Sequence, residues 1–125
     1  MNILDAPEAP RAIGPYAHAV RVGPLLFCSG QTPIDPETMQ LVEGDIGVQT
    51  ARVLRNVEHV LHAAGLTLAA VVRTTVYLTS MDDFGAMNAA YAEAFGTHTP
   101  ARTTVAVRAL PLGARVEIEC IAEAG

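Results

Sequence analysis

The sequence contains no lysine and no tryptophan. All eight cationic residues are arginines, so no side-chain amine can form a Schiff base, which excludes lysine-anchored pyridoxal phosphate and aldolase-type covalent chemistry. Thirteen Asp and Glu against eight Arg leave a formal charge of −5. No basic run supplies the clustered positive charge that a nucleic-acid or anionic membrane surface requires. Cysteine is limited to Cys28 and Cys120, far apart and without a CxxC; both fall in apolar strand-like stretches, so buried thiols are expected rather than a disulfide. No window approaches the ~18 apolar residues of a membrane span, and the leading MNILDAPEAPR lacks the basic and apolar regions of a secretory signal. A soluble, cytoplasmic protein is the expectation. HExxH, a Cys/His cluster, GxGxxG, GxxxxGK[ST] and a GxSxG context for Ser29 are all missing, which leaves no metal, nucleotide or triad signature. Chemistry without a cofactor, or ligand binding, remains.

What is present is apolar. Half of the 125 residues are hydrophobic and only 17% are charged, with a mean hydropathy of +0.30, far from a disordered composition. The length suits one domain over residues 1–125. So apolar a chain has more to hide than a small core can take, and association with further copies is expected.

Residues 1–15 read as an irregular lead-in ending at Gly14-Pro15, and segments 16–22 and 25–29, split by Gly23-Pro24, read as a β-hairpin. Residues 31–45, with two prolines, form a long loop of the kind that is often functional. From Ile46 to Ala64, Val48, Ala51, Leu54, Val57, Leu61 and Ala64 recur at three- and four-residue steps. This predicts an amphipathic helix with Asp45 as N-cap, Gly65 past its end, and Gln49, Arg52, Asn56, Glu58 and His59 on the opposite face. VVRTTVYL, 71–78, is β-branched and strand-like, and a second helix carries Phe84, Met87, Tyr91 and Phe95 in register. Strands over 102–107 and 115–122 complete the order β-β-α-β-α-β-β. The fold class is α+β, a mixed sheet with both helices on one face. Its other face then needs a partner, most simply another copy.

Several residues could carry chemistry. Arg102 opens a strand after the Pro100 turn, where a guanidinium could hold a carboxylate through two parallel donors; the plain alternative is a surface or ion-pairing arginine. Glu117 lies on the polar face of the last strand. Paired as a hairpin, the last two strands would bring it near Arg102, where it could orient a water; Glu119, on the same side, is its control. Tyr16 follows Gly-Pro in a constrained turn, and Ser29-Gly30 ends a buried strand where glycine permits close approach. Asn88 is a polar residue beside an apolar helix face, either a structural pin or solvent-facing. His18 and His98 stand alone, and His59 and His62 read as solvent-facing.

IGPYAHAV (13–20), LLFCSGQTPIDPET (25–38), GDIGVQTARVLRNVEHVLHAAG (44–65), VVRTTVYLTSMDDFGAMNAAYAEAFG (71–96) and PARTTVAVRALPLGARVEIECIA (100–122) together resemble the reactive intermediate deaminase family, also called Rid or YjgF. The resemblance is collinear over nearly the whole chain. It implies a chorismate-mutase-like fold and a homotrimer with clefts between subunits. It also implies hydrolysis of enamines and imines, such as 2-aminoacrylate, 2-iminopropanoate and 2-iminobutanoate, to 2-keto acids and ammonia without metal or cofactor. Carried over, the carboxylate-binding arginine is Arg102, the water-associated glutamate Glu117 and the pocket tyrosine Tyr16; Ser29, Gly30 and Asn88 line the pocket. Where the family often has cysteine this chain has Thr104, whose backbone carbonyl would still accept a hydrogen bond from the substrate nitrogen. Met39 stands where glycine is common. A ligand-binding trimer for small carboxylates without catalysis, or a deaminase for another substrate such as aminomuconate, are the alternatives.

Overall fold

A computed structural model describes residues 1–124. Its sheet has six strands: β1 (Asn2–Leu4), β2 (Ala19–Val22), β3 (Leu25–Gln31), β4 (Val71–Leu78), β5 (Ala101–Ala106) and β6 (Val116–Glu123). Two helices, α1 (Ile46–Ala63) and α2 (Phe84–Phe95), accompany them. The sheet order is β1-β2-β3-β6-β4-β5. Only β4 and β5 pair in parallel, as expected of strands joined by a crossover helix. Both helices lie on one face, and the architecture is the mixed α+β arrangement read from the pattern.

The elements form for local reasons. Asp45 caps α1, accepting from the Val48 amide at 2.9 Å, and satisfies one of the first-turn donors. At the other end Gly65 takes φ +75°, with its amide on the His62 carbonyl and that of Leu66 on the Leu61 carbonyl, both at 2.9 Å. This is a Schellman closure, which favours glycine at its left-handed position. α2 buries Met87, Tyr91 and Phe95 at four-residue steps. Alternation on β6 sends Val116, Ile118, Cys120 and Ala122 into the core, where they meet Leu54, Val57 and Leu61 of α1.

Four readings need correction. β1 lies inside the presumed lead-in, where three residues pair with β2 as an edge strand; no turn chemistry announces so short a segment. Val48 is 50% exposed and Ala51 is exposed, so the core-facing stripe of α1 is rotated onto Ile46, Thr50, Val53, Leu54, Val57, Val60 and Leu61. Asn56 belongs inside, wholly buried. Lastly, β5 and β6 are not a hairpin, because β4 stands between them. Met39 adopts a left-handed φ of 59° despite its side chain, in a turn closed by its amide on the Asp35 carbonyl at 2.8 Å.

The opposite face of the sheet is uncovered. Phe27 is 43% exposed, and Val22 and Val105 are exposed with it. Cys28 and Cys120 face each other across β3 and β6 on the inner side. Both are free buried thiols, and their mutual hydrogen bond together with burial pushes the Cys120 pKa far up. Among the described residues, no helix is long and apolar enough to cross a membrane.

Candidate active site

Arg102 begins at the edge of the sheet on β5 and turns to the helix-covered side. Its Nη1 donates to Asn88 Oδ1 at 2.7 Å. The guanidinium lies 4.8 Å from the Tyr91 ring centroid and 5.6 Å from that of Phe84, positions in which a ring face attracts a cation. A neutral amide and two rings hold the group in place without neutralising it, and no carboxylate among the described residues pairs with it. The Tyr91 hydroxyl is itself tied to Thr74 Oγ1 at 2.7 Å, so the ring beneath the guanidinium is fixed. Thr104, two residues on along the same face, keeps a buried hydroxyl with no hydrogen-bond partner.

Glu117 occupies the other side. Its neighbours Val116 and Ile118 point into the core, so alternation turns its carboxylate to the uncovered face. There it lines a cavity of about 340 Å³ with Tyr16, Ser29 and Gly30. Burial, and then the charge of Glu119, hold its pKa above the ordinary carboxylate value. Glu119 lies on the same face, but its carboxylate accepts from the Tyr77 hydroxyl, a bond that pushes the tyrosine pKa up. The two glutamates therefore differ in kind: one is satisfied, while the other faces a cavity.

Gly30 explains how Glu117 fits. The register of β3 against β6 shifts between Cys28 and Gln31, a bulge that re-aims the chain. A Cβ on Gly30 would overlap the Glu117 carboxylate and stand 2.9 Å from its Cδ. Ser29 Oγ donates to the Ala17 carbonyl at 2.6 Å, and its amide bonds the His18 carbonyl at 2.9 Å, so this side chain fastens β3 to the approaching lead-in. Tyr16 is 47% exposed, and its hydroxyl accepts from the Ile13 amide at 3.4 Å.

The seven candidate residues thus fall into two groups. Tyr16, Ser29, Gly30 and Glu117 share the cavity; Arg102 and Asn88 share a hydrogen bond, with Thr104 beside them. The expected approach of Arg102 to Glu117 within one chain does not occur. They sit two strands apart on opposite faces, because β5 joins β4 rather than β6.

Two residues that sequence reasoning undervalued matter locally. His18, read as standing alone, is buried. Its Nδ1 accepts from the Ala6 amide at 3.0 Å, and Nε2 donates to the Pro10 carbonyl at 2.8 Å, which anchors the segment bordering the cavity. Asn56 Nδ2 donates to the carbonyls of Thr32 and Ile34 at 3.0 and 2.8 Å, and its Oδ1 accepts from Arg52. Its spacing, three residues after Val53 and four before Val60, was the available signal. His62 is exposed as expected, whereas His59 is half-buried, 3.2 Å from a Glu8 carboxylate oxygen. His98 Nε2 lies 2.6 Å from the Val71 carbonyl. Among the described residues, no group of three or more His, Cys, Asp or Glu side chains is placed to hold a metal ion.

Comparison with known proteins adds lineage. The family model described as Endoribonuclease L-PSP matches residues 6–124. A RutC family protein of Pyrococcus horikoshii is 48% identical over 121 residues, covering 97% of this chain and 96% of its own. The 2-iminobutanoate/2-iminopropanoate deaminase of Mus musculus is 44% identical over 124 residues, covering 99% and 92%. The crystal structure of RidA from an Antarctic Psychrobacter superposes with a TM-score of 0.94 at 40% identity, covering 98% of this chain and 99% of that one.

Proposed function

The chain belongs to the Rid/YjgF family, and from that premise we propose that it hydrolyses small 2-imino acids and their enamine tautomers to 2-keto acids and ammonia. We propose further that it does so as a homotrimer, in clefts built from two subunits. The observation that carries this reading is the division of the candidate residues into two pre-organised halves on opposite faces of one sheet. The halves are complementary: one offers an uncompensated cation held in place by its neighbours but no acid–base group, the other a carboxylate with raised pKa whose cavity has Arg11 at its exposed rim. The exposed apolar face bearing Phe27 and Val105 supplies a surface on which copies can meet.

In the assembled cleft Arg102, held by Asn88, clamps the substrate carboxylate. The Thr104 carbonyl accepts from the iminium nitrogen, and Tyr16 of the neighbouring chain closes the cavity. Glu117 takes a proton from water as the water oxygen bonds to the imine carbon and the C=N π electrons move to nitrogen. It then returns that proton to nitrogen, and as the C–N bond breaks the hydroxyl proton of the intermediate passes back to Glu117 and on to the departing ammonia, leaving the carbonyl and ammonium. A carboxyl whose pKa is raised toward the working pH serves in both directions. Positioning supplies much of the remainder.

A serine dehydratase generating 2-aminoacrylate, coupled to a keto-acid readout, tests this directly. The wild type should accelerate keto-acid appearance, and Arg102→Ala should lower kcat/KM by at least about a hundredfold, the loss of a charge-assisted clamp. A wild type that binds 2-keto acids yet accelerates nothing makes the protein a ligand-binding module instead.

A further inference from the structure

The cavity of Glu117 has a lining residue that the hydrolysis of simple imines leaves idle. Arg11 borders it alongside Tyr16, Ser29 and Glu117. It is exposed, and no carboxylate lies within ion-pair distance of it among the described residues. Its backbone is not free to wander. Just before it, the Pro10 carbonyl is held by His18 Nε2 at 2.8 Å; two residues after it, the Ile13 amide reaches the Tyr16 hydroxyl at 3.4 Å. The cation is thus presented from a fixed segment at the rim of the cavity. At about 340 Å³ that cavity lies within the range of small-molecule sites, and an imino acid of three or four carbons leaves part of it unfilled.

Resting on the reading above, we propose that Arg11 is a specificity-determining residue that recognises a second, distal carboxylate, so that the site favours imines of dicarboxylic amino acids over those with short apolar side chains. The α-carboxylate goes to Arg102 and the imine carbon faces the water held by Glu117. A side chain extending toward the cavity mouth then meets Arg11, the one arginine that lines the cavity among the described residues. A guanidinium at a solvated rim gains from an anion while a methyl or ethyl group leaves it as it was. The residue acts on substrate choice and has no part in the chemical step.

The test uses a flavin amino-acid oxidase to supply the imine of alanine or that of glutamate, with imine decay followed by its ultraviolet absorbance in the presence of the full-length chain. The ratio of kcat/KM for the acidic imine over the neutral one should fall about tenfold in Arg11→Gln and be largely kept in Arg11→Lys. The wild-type ratio should also shrink as salt rises, because a rim charge is screened. If Arg11→Gln slows both substrates by one factor, the inference fails while the deaminase reading stands. If the wild type accelerates neither, both fail.

Discussion

Glu117 is where the physical chemistry of this chain is most exposed to test. Its folded pKa is raised by burial and by Glu119, so its charged form is disfavoured in the native state relative to the unfolded chain. The contribution of Glu117 to stability is therefore greatest at acid pH and declines as pH rises from the unfolded pKa through the folded one. Glu117→Gln should therefore be at least as stable as the wild type at neutral pH, with the difference vanishing in acid, while kcat falls about a hundredfold. Thermal melts and turnover at matched pH measure the opposition. Wild-type activity should decline as pH falls through a value above the ordinary 4.5 of a glutamate. Gly30→Ala belongs with this prediction, because its new methyl would displace the carboxylate; it should keep the fold and share the loss of turnover. The place of Arg102 at the start of its strand was legible from Pro100, and the outward facing of Glu117 from strict alternation on its strand. That Glu119 is tied to Tyr77 was not, since the bond spans strands whose adjacency depends on the whole topology.

Elements are specified by short-range signals, and pairing is not. The caps and periodicity of α1 gave its limits nearly to the residue, as did the β-branched run of β4. The order of the strands depends on which edges remain unpaired when the helices cross over. The β4-α2-β5 unit carried the usable hint, since a crossover helix makes parallel neighbours; reading β5 and β6 as a hairpin from their short connection overlooked it. The loop after β3 shows a second limit. Its two prolines announced irregular backbone, yet what holds it is Asn56, on a helix 22 residues away from Ile34. Asn56→Ala would leave the Ile34 carbonyl without its donor, while the Thr32 carbonyl keeps the Ile34 amide at 2.8 Å, and a buried orphan costs ~1–3 kcal/mol. A loss of about 2 kcal/mol in chemical denaturation is expected, with faster hydrogen exchange in residues 32–42. Unchanged stability would show that water replaces the amide freely.

Taken as a whole, the molecule presents two groups of candidate residues separated by its own sheet. If activity arises where copies meet, then Arg102→Ala and Glu117→Gln chains, each inactive alone, should recover activity when unfolded together and refolded as a mixture. A mixed assembly places an intact Arg102 opposite an intact Glu117 in some clefts. In a randomly mixed trimer at equal ratio, up to about a quarter of the clefts can draw both from unaltered halves, by simple combinatorics of symmetric assembly. No recovery in a mixture that size-exclusion chromatography shows to be trimeric would place the two residues in separate functions. The composition raised the expectation of partners, through an apolar content large for one small core. It could not say which face they take, because that depends on both helices packing to the same side.

If the proposed cleft is shared between chains, the sheet that keeps cation and acid apart also sets how the protein responds to its own abundance: below the concentration at which subunits find one another, scarcity would remove function faster than it removes protein.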